Sequence, residues 1–422
     1  MEEERPNILI FLLVCCFASA SWLGANSIWV ELSVFVNHLP EGWKLGSVLD
    51  LVIQASSIGP LIFVLLDRCT RFEIPHSIII QASLIVCILV NIPLAFFWDK
   101  TAYIFGDNHS VVILGSAFLV GTVNIGSDVV FVPYMRHFKN IYLPAYFIGS
   151  GFSAVFPSLV SIAQGASSYK CVFNEQANQT FPQYMTPNFS SAVFYMIMLA
   201  WSTLACFSFY ILNWPPAKLE RWNPLRTYSS TTADIHSQTN GNLRRKVEIK
   251  ANRLRDCLIL ASLALLGIEI NTILPSLLSY VTLPYSQQAY FWALILSALA
   301  QPVGGFLAYI FKPRKTIQLV LLSAICLVLS LIFLLIAAQS PNPVLKKSVV
   351  GSIFSVLLTI LMQLVGCFLR TVLLESYRDD QPNVSSRLFW AGLCLQSGSF
   401  VGTLIMYPLV NVAKLFKDAS PC

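Results

Sequence analysis

Long apolar stretches, separated by short polar links, alternate along nearly the whole chain. An apolar stretch of roughly 18 to 25 residues is long enough to cross the hydrocarbon core of a bilayer as a helix. The pattern predicts about eleven spanning helices, with these bounds: Ile8 to Val36, Ser47 to Leu66, Ser77 to Phe97, Val111 to Val132, Ala145 to Ala163, Ser191 to Asn213, Cys257 to Tyr280, Gln288 to Phe311, Thr316 to Ala338, Ser348 to Leu369 and Leu388 to Ala413.

A single polar segment, residues 214–256, interrupts the pattern and divides the predicted helices six plus five. It is rich in Ser, Thr and Asn and carries nine basic residues. The sequence therefore predicts an all-α polytopic membrane protein with a six-helix bundle (1–213), a cytoplasmic connecting loop (214–256) and a five-helix bundle (257–422). This layout is typical of major-facilitator-like transporters, whose halves are related by a pseudo-two-fold axis. The loop itself is compatible with a disordered connector or with a regulatory or lipid-headgroup role.

Composition supports a membrane protein, because 56% of the 422 residues are hydrophobic and only 11% are charged. The mean hydropathy is +0.67. Of the 27 lysines and arginines, 20 fall in links on one side of the predicted membrane. Basic residues favour the cytoplasmic side, so the amino terminus is predicted inside and the carboxyl terminus outside. The net charge of +6 is therefore attributed to the orientation of the chain in a lipid bilayer. No nucleic-acid partner is expected.

The predicted extracellular link Gln164 to Ser190 contains two glycosylation sequons, at Asn178 and Asn188. Two cysteines, Cys171 and Cys422, also fall outside in this topology. They are able to form a disulfide there, although nothing in the sequence requires one.

Uncharged polar side chains are the most informative feature of the predicted spans. Hydrocarbon offers no hydrogen-bond partner, so a polar residue in a span is a candidate functional residue. Amides and hydroxyls beside aromatic rings suit a flat, neutral, hydrogen-bonding solute. The alternative is that such amides join helices to one another. The candidate substrate-binding residues are Trp22, Asn26, Trp29, Gln54, Asn124, Asn271, Thr272, Tyr280, Tyr290 and Gln396.

The first predicted span separates two kinds of polar residue. On a regular helix, one face carries Trp22, Asn26, Trp29 and Ser33, whereas Gly24, Ser27 and Glu31 lie opposite. We expect the first face to contact substrate. The second is expected to pack against other helices, with Glu31 hydrogen-bonded near the outer end.

The chemistry of an enzyme is missing from the sequence. All five histidines fall in predicted links, so no metal cluster is expected within the bundle. The sequence also lacks a phosphate-binding Gly-Lys-Ser/Thr loop and the spacing of a Ser or Cys nucleophile. Catalytic residues, metals and cofactors are therefore not predicted.

Several strings carry a family resemblance that spans both predicted bundles. They are "SWLGANSIWVEL" with "LPEGW", "FVPYM" with "GSGFSAVFPSLVSIAQG", "LPS" with "LPYSQQAY", and "YPLVNVAKLF" near the end. With these strings the chain resembles the eukaryotic riboflavin transporter family. The resemblance implies eleven spans, a cytoplasmic amino terminus, a plasma-membrane location and uptake of riboflavin as the transported substrate.

The polar and aromatic side chains of the predicted spans suit that implied substrate. Riboflavin is neutral, with a flat tricyclic ring, an imide edge and a hydroxylated chain, which aromatic, amide and hydroxyl groups can bind. Few acidic residues lie in the spans, so facilitated or weakly proton-sensitive uptake by alternating access is expected. Two alternatives remain: a transporter of another flat neutral solute such as a nucleoside, and a membrane receptor with the same fold.

Overall fold

The protein is described by a computed structural model covering residues 7–60, 62, 76–104, 106–165, 169–174, 179–184, 187–214, 242–311, 313, 315–346, 348–378 and 384–418. Its helices are α1 Ile8–Ser19, α2 Leu23–His38, α3 Leu45–Ser56, α4 His76–Phe97, α5 Val111–Tyr134, α6 Leu143–Gln164, α7 Ser191–Leu212, α8 Asn242–Ile268, α9 Leu274–Thr282, α10 Gln287–Ile310, α11 Thr316–Ala338, α12 Val349–Arg378 and α13 Val384–Tyr407. Two π-helical segments, Glu269–Ile273 and Pro408–Val412, follow α8 and α13.

Two antiparallel hairpins accompany the helices. One pairs β1 (Ala102–Ile104) with β2 (Asp107–His109), and the other pairs β3 (Tyr169–Asn174) with β4 (Gln179–Tyr184). They connect α4 to α5 and α6 to α7. We call this side of the bundle, together with the link from α2 to α3, the hairpin end. The prediction of a purely α-helical chain missed these short strands.

Eight helices in the described part of the chain are long and apolar enough to cross a membrane, and the bent pair α1 and α2 makes a ninth. Two other predicted spans are described less fully. Ser47 to Leu66 lies partly outside the described residues, and Val111 to Val132 coincides with α5, of which Val111–Ser127 forms a shorter apolar helix. The structure therefore supports a multi-pass membrane protein.

The first predicted span, Ile8 to Val36, is wrong as one straight helix, because α1 and α2 are bent by 53°. Ser19 Oγ donates to the carbonyl of Cys16 at 2.6 Å and accepts from Trp201 Nε1 at 2.8 Å, just before the break. A serine that bonds its own helix backbone competes with regular helical bonding. Trp22 consequently precedes α2, and the predicted helical face applies only to the residues that follow.

The seventh predicted span, Cys257 to Tyr280, agrees with the apolar span Leu254–Thr282, but the helix that contains it is longer. α8 already begins at Asn242, so the end of the predicted connecting loop is helical, while residues 215–241 lie outside the described part. The helix continues through Glu269–Ile273 into α9, whose first turn contains Pro275. Proline is tolerated there because its missing N–H is not needed in a first turn, and the π segment accommodates the transition.

The same close packing occurs in each half of the chain, which we define as α1 to α7 and α8 to α13. In the first half α1 packs against α6, and a Cβ on Gly149 would collide with the carbonyl of Cys15. In the second half α8 packs against α13, and a Cβ on Gly398 would collide with the carbonyl of Ala264. Glycine lets two helix backbones approach closely in a membrane. The repeated arrangement supports two related halves.

The halves meet along a continuous interface, which we call the seam. Helix α10 packs against α2 and α6, and α3 packs against α9 and α13. One hydrophobic cluster contains buried residues from both halves, including Leu32, Leu49, Leu277 and Leu294. Several buried polar residues lie at the seam, among them Asp50, Thr403 and Gln287.

Candidate polar site at the seam

Asn26 forms the polar pair of the first half. Its side-chain amide donates to Ser153 Oγ of α6 at 3.4 Å, and both side chains are buried. Ser153 in turn donates to the carbonyl of Ser150 at 2.6 Å. The adjacent turn of α6 reaches the other half, because a Cβ on Gly151 would lie 3.1 Å from Pro302 of α10. This pair is therefore buried beside the seam.

Asn124 of α5 stabilises the break between α1 and α2. With its amide nitrogen directed towards the break, it donates to the carbonyl oxygens of Ser21 at 2.9 Å and Val120 at 3.1 Å. A break frees backbone groups that must find partners inside a membrane. The hydroxyl of Ser21 is itself buried and has no partner among the described residues. The break thus offers an unsatisfied polar group close to Asn26.

Asn271 forms the corresponding pair of the second half. It lies in the π segment after α8, and its amide donates to Ser399 Oγ of α13 at 2.9 Å. Ser399 also lies within hydrogen-bonding distance of the Gly267 and Leu395 carbonyls. An asparagine on the first span therefore contacts a serine on the fifth span in each half.

The second pair is connected to the first half through a chain of buried hydrogen bonds. Thr272 Oγ1 lies 3.0 Å from the carbonyl of Ser399 and 3.3 Å from Thr403 Oγ1. Thr403 donates to Asp50 Oδ2 of α3 at 2.6 Å, across the seam. Gln54, one helical turn along α3, also hydrogen-bonds the Asp50 carboxylate. Asp50 thus has polar partners from both halves.

Further hydrogen bonds between the halves lie nearer the hairpin end. Gln287 Nε2 donates to the carbonyl of Ser33 at 2.8 Å, and Ser279 Oγ donates to the carbonyl of Trp43 at 2.7 Å. Asn411 Nδ2 donates to Ser47 Oγ at 2.8 Å. These bonds hold the two halves together at the hairpin end.

Aromatic packing also joins the two halves at the hairpin end. It places two of the predicted site residues, Tyr280 and Tyr290, in the core. The buried ring of Tyr280 packs at 5.8 Å against Trp43 of the other half and at 5.6 Å against Phe416. Tyr290 is also fully buried, in the hydrophobic cluster shared by the halves. In this conformation both tyrosines are therefore packing residues.

The other predicted site residues are less enclosed. Trp22 and Trp29 are half-buried, seven residues apart on either side of Asn26, and Gln396 is half-buried on α13. Trp29 packs against the shared hydrophobic cluster. The structure therefore brings Asn26 into contact with Ser153, and Gln54, Asn271 and Thr272 into one network, without joining all ten predicted residues.

Sequence reasoning missed the hydroxyl partners at the seam, namely Ser153, Ser399, Thr403, Ser47 and Ser279. Serine and threonine occur throughout the spans, so their presence alone distinguishes none of them. A usable signal is spacing, because Asn26 and Ser153 are separated by 127 positions and Asn271 and Ser399 by 128. A search for a repeated Asn-to-Ser spacing in the two halves would have selected both pairs.

One predicted glycosylation site is described. Asn188 is exposed, and its side chain donates to the carbonyl of Ala163 at 2.9 Å at the end of α6. Asn178 and Cys422 lie outside the described residues, and no side-chain contact is described for Cys171. Among the described residues, no group of His, Cys, Asp or Glu is placed to hold a metal ion.

Comparison with known proteins gives a full-length match. Residues 6–418 match the profile of solute carrier family 52, riboflavin transporter. The chain is 33% identical to riboflavin transporter rft-1 of Caenorhabditis elegans, over 99% of this chain and 100% of that protein. It is 32% identical to member 3-A of the same solute carrier family in Danio rerio and 29% identical to member 3 in Homo sapiens, each with 98% of both chains covered.

Solved transporters share the fold. A D-xylose–proton symporter aligns with a TM-score of 0.57 at 12% identity, covering 95% of this chain and 89% of that one. The nucleoside transporter NupG aligns with a TM-score of 0.52 at 14% identity, covering 98% and 91%. At such low identity these likenesses concern the architecture alone.

Proposed function

The chain belongs to solute carrier family 52, the riboflavin transporters, and we propose that it takes up riboflavin across the plasma membrane by alternating access between its two halves. The observation that carries the proposal is the match to this family over residues 6–418. A match of that length includes both halves and the whole seam between them.

The proposed topology has eleven spans in a six-plus-five arrangement. The amino terminus and the segment 214–256 are cytoplasmic, and the hairpin end and the carboxyl terminus are extracellular. The distribution of 20 of the 27 basic residues on the cytoplasmic side supports this orientation. A tag after Cys422 should be stained by antibody on intact cells, whereas a tag at Met1 should require permeabilisation. The reverse staining would contradict the orientation.

The proposed binding site lies along the seam, around the two asparagine–serine pairs. In each half an amide next to a helix irregularity bonds a single serine hydroxyl, which is a partner that a ligand is able to replace. The flanking Trp22 and Trp29 offer ring faces for the flat flavin. Gln54, Asn124, Thr272 and Gln396 are assigned to support or extend this polar surface.

In the conformation described, the halves are joined at the hairpin end, so exchange of substrate on that side requires the bonds of Gln287, Ser279 and Asn411 to break. Each neutral bond contributes about 1 kcal/mol, so the set is weak enough to open and close repeatedly. Uptake is expected to be facilitated or weakly proton-sensitive.

Flux in proteoliposomes tests the proposed function. Purified protein should give saturable uptake of labelled riboflavin that unlabelled riboflavin inhibits and a nucleoside does not. Inhibition by the nucleoside instead would favour the transporter of another flat solute. Binding of riboflavin without flux would favour a receptor. Empty liposomes and liposomes with heat-treated protein are the controls.

A further inference from the structure

A second polar cluster lies inside the first half, away from the asparagine–serine pairs. The Glu31 carboxyl group of α2 is fully buried, and its Oε2 accepts a hydrogen bond from Ser191 Oγ at 2.7 Å. Its other oxygen, Oε1, has no partner in the described part of the structure. The side chain of Gln164 is a hydrogen-bond partner of the same carboxyl group, and the Tyr195 hydroxyl, on which Glu31 acts electrostatically, has no hydrogen-bond partner among the described residues.

Two buried polar atoms without a partner, Glu31 Oε1 and the Tyr195 hydroxyl oxygen, therefore belong to one cluster. Buried polar groups in folded proteins are nearly always satisfied, because an unsatisfied one is destabilising. A cluster of such exceptions indicates that the site binds something that the protein atoms do not supply.

No cation among the described residues neutralises Glu31. The elements packed against α2 are α4, α5, α6, α7, α10 and the short 3-10 helix Gly42–Lys44, and Lys44 does not act on the carboxyl group. From α7 the titratable group facing the carboxyl is Tyr195, and from α6 the facing group is the uncharged Gln164. Described side chains of α4, α5 and α10 present no charged group that acts on it.

The amino terminus of α7 favours an anion at this place, because Ser191 is the first residue of that helix. Hydrogen bonds from Ser191 and Gln164 act in the same direction. Removal of the carboxylate from water opposes them and is the larger effect, so a neutral Glu31 is favoured in this buried position.

We propose that Glu31 is a proton-binding site that is occupied when the hairpin end is closed. The carboxylate takes up one proton at Oε1 and becomes a neutral carboxylic acid, with no other bond changed. Its new O–H is a hydrogen-bond donor, whereas an ionised carboxylate only accepts. Ser191 continues to donate to Oε2. This proposal rests on the proposed transport function and assigns a site for its weak proton sensitivity.

The position of Glu31 connects that proton to substrate binding. Glu31 ties α2 to the end of α6 and the start of α7, and the same helix carries Asn26 and Trp29. Loss of the proton leaves a charge that requires water, which favours separation of α2 from those helices.

The first test is the pH dependence of riboflavin uptake in proteoliposomes. We expect the wild-type rate to change several-fold between about pH 5.5 and about pH 8, and Glu31→Gln to reduce that ratio to about 1, because a glutamine cannot take up a proton. Asp99→Asn, at an exposed acid, is the control and should keep the wild-type ratio. A wild-type ratio retained by Glu31→Gln overturns the proposal.

Infrared difference spectroscopy of the purified wild type tests the site without any requirement for transport. At neutral pH the spectrum should contain the carbonyl band of a buried protonated carboxyl group, and Ser191→Ala should shift it because the donor to Oε2 is lost. A spectrum without a band that responds to Ser191→Ala overturns the proposal even where Glu31→Gln fails to fold. Absence of riboflavin flux at every pH contradicts the proposed function instead.

Discussion

The two halves contain the same polar pair in different surroundings. In the first half Asn26 donates to Ser153 at 3.4 Å, and Ser153 in turn donates to the carbonyl of Ser150 in its own helix. In the second half Asn271 donates to Ser399 at 2.9 Å, next to a chain of bonds that reaches Asp50 of the other half. Each amide donates to one serine, but the bond of Asn26 is longer, whereas the bond of Asn271 adjoins a network. An amide with a single weak bond loses least when it turns to a ligand, so Asn26 is the better candidate for direct contact with riboflavin.

The helix irregularities beside the two asparagines also differ between the halves. The first span is broken by a 53° bend between α1 and α2, whereas the corresponding span of the second half continues from α8 into α9 through one π segment. The bend leaves the hydroxyl of Ser21 unpartnered among the described residues. We infer that the first half provides adaptable polar groups and that the second half provides the rigid side of the site.

The largest expected effect is at the close glycine-mediated helix contact that occurs in both halves. Gly149→Ala and Gly398→Ala should each lower the free energy of unfolding by about 3 kcal/mol, because the added methyl group meets a backbone carbonyl that cannot turn away. Thermal unfolding in detergent, followed by size-exclusion chromatography, measures the loss. Gly392→Ala on α13, where nothing lies within 4 Å of the new Cβ, is the control. Equal stability of Gly398→Ala and Gly392→Ala would contradict the close packing of α8 and α13.

The network of the second half should be the next most sensitive. Thr403→Val removes the donor to Asp50 Oδ2 and leaves a buried carboxylate oxygen unsatisfied, at a cost of about 2 kcal/mol. We expect lower thermal stability together with slower riboflavin uptake, because the bond joins the two halves. Thr203→Val is the matched control, since the exposed Thr203 donates only to its own helix, at Leu199. An unchanged uptake rate for Thr403→Val would show that this bond does not contribute to the seam.

A smaller effect is expected at Asn271 itself. Asn271→Ala leaves Ser399 with the Gly267 and Leu395 carbonyls as partners, so the hydroxyl stays satisfied. The expected loss of stability is about 1 kcal/mol, with a change in riboflavin affinity of less than about 3-fold. Asn91→Ala, which removes a buried amide bonded to Cys87 and Ser202 inside the first half, should match it in stability and leave affinity unchanged. A loss of affinity at Asn271 well beyond that at Asn26 would reverse the comparison between the halves.

The sequence predicted the spans well where hydropathy alone decides them, as in Thr316 to Ala338, which α11 reproduces at both ends. It did not predict the break before α2, because residues 20–22 contain neither proline nor glycine and the bend depends on bonds from Trp201 and Asn124, which are distant in sequence. The sequence identifies Asn26, Gln54 and Asn271 as candidate site residues because polar side chains are rare in apolar spans. Their serine and threonine partners depend on helix packing, which a single sequence does not reveal.

The most direct test of the account is the affinity of purified protein for riboflavin, measured through the fluorescence of the flavin, in the wild type, Asn26→Ala and Asn271→Ala. The account predicts that Asn26→Ala raises the Kd by about 5-fold or more, corresponding to about 1 kcal/mol for one lost hydrogen bond, and that Asn271→Ala raises it less. Thermal stability of the two variants, measured in parallel, separates affinity from folding. An Asn26→Ala protein that is folded and binds riboflavin as tightly as the wild type would contradict the account.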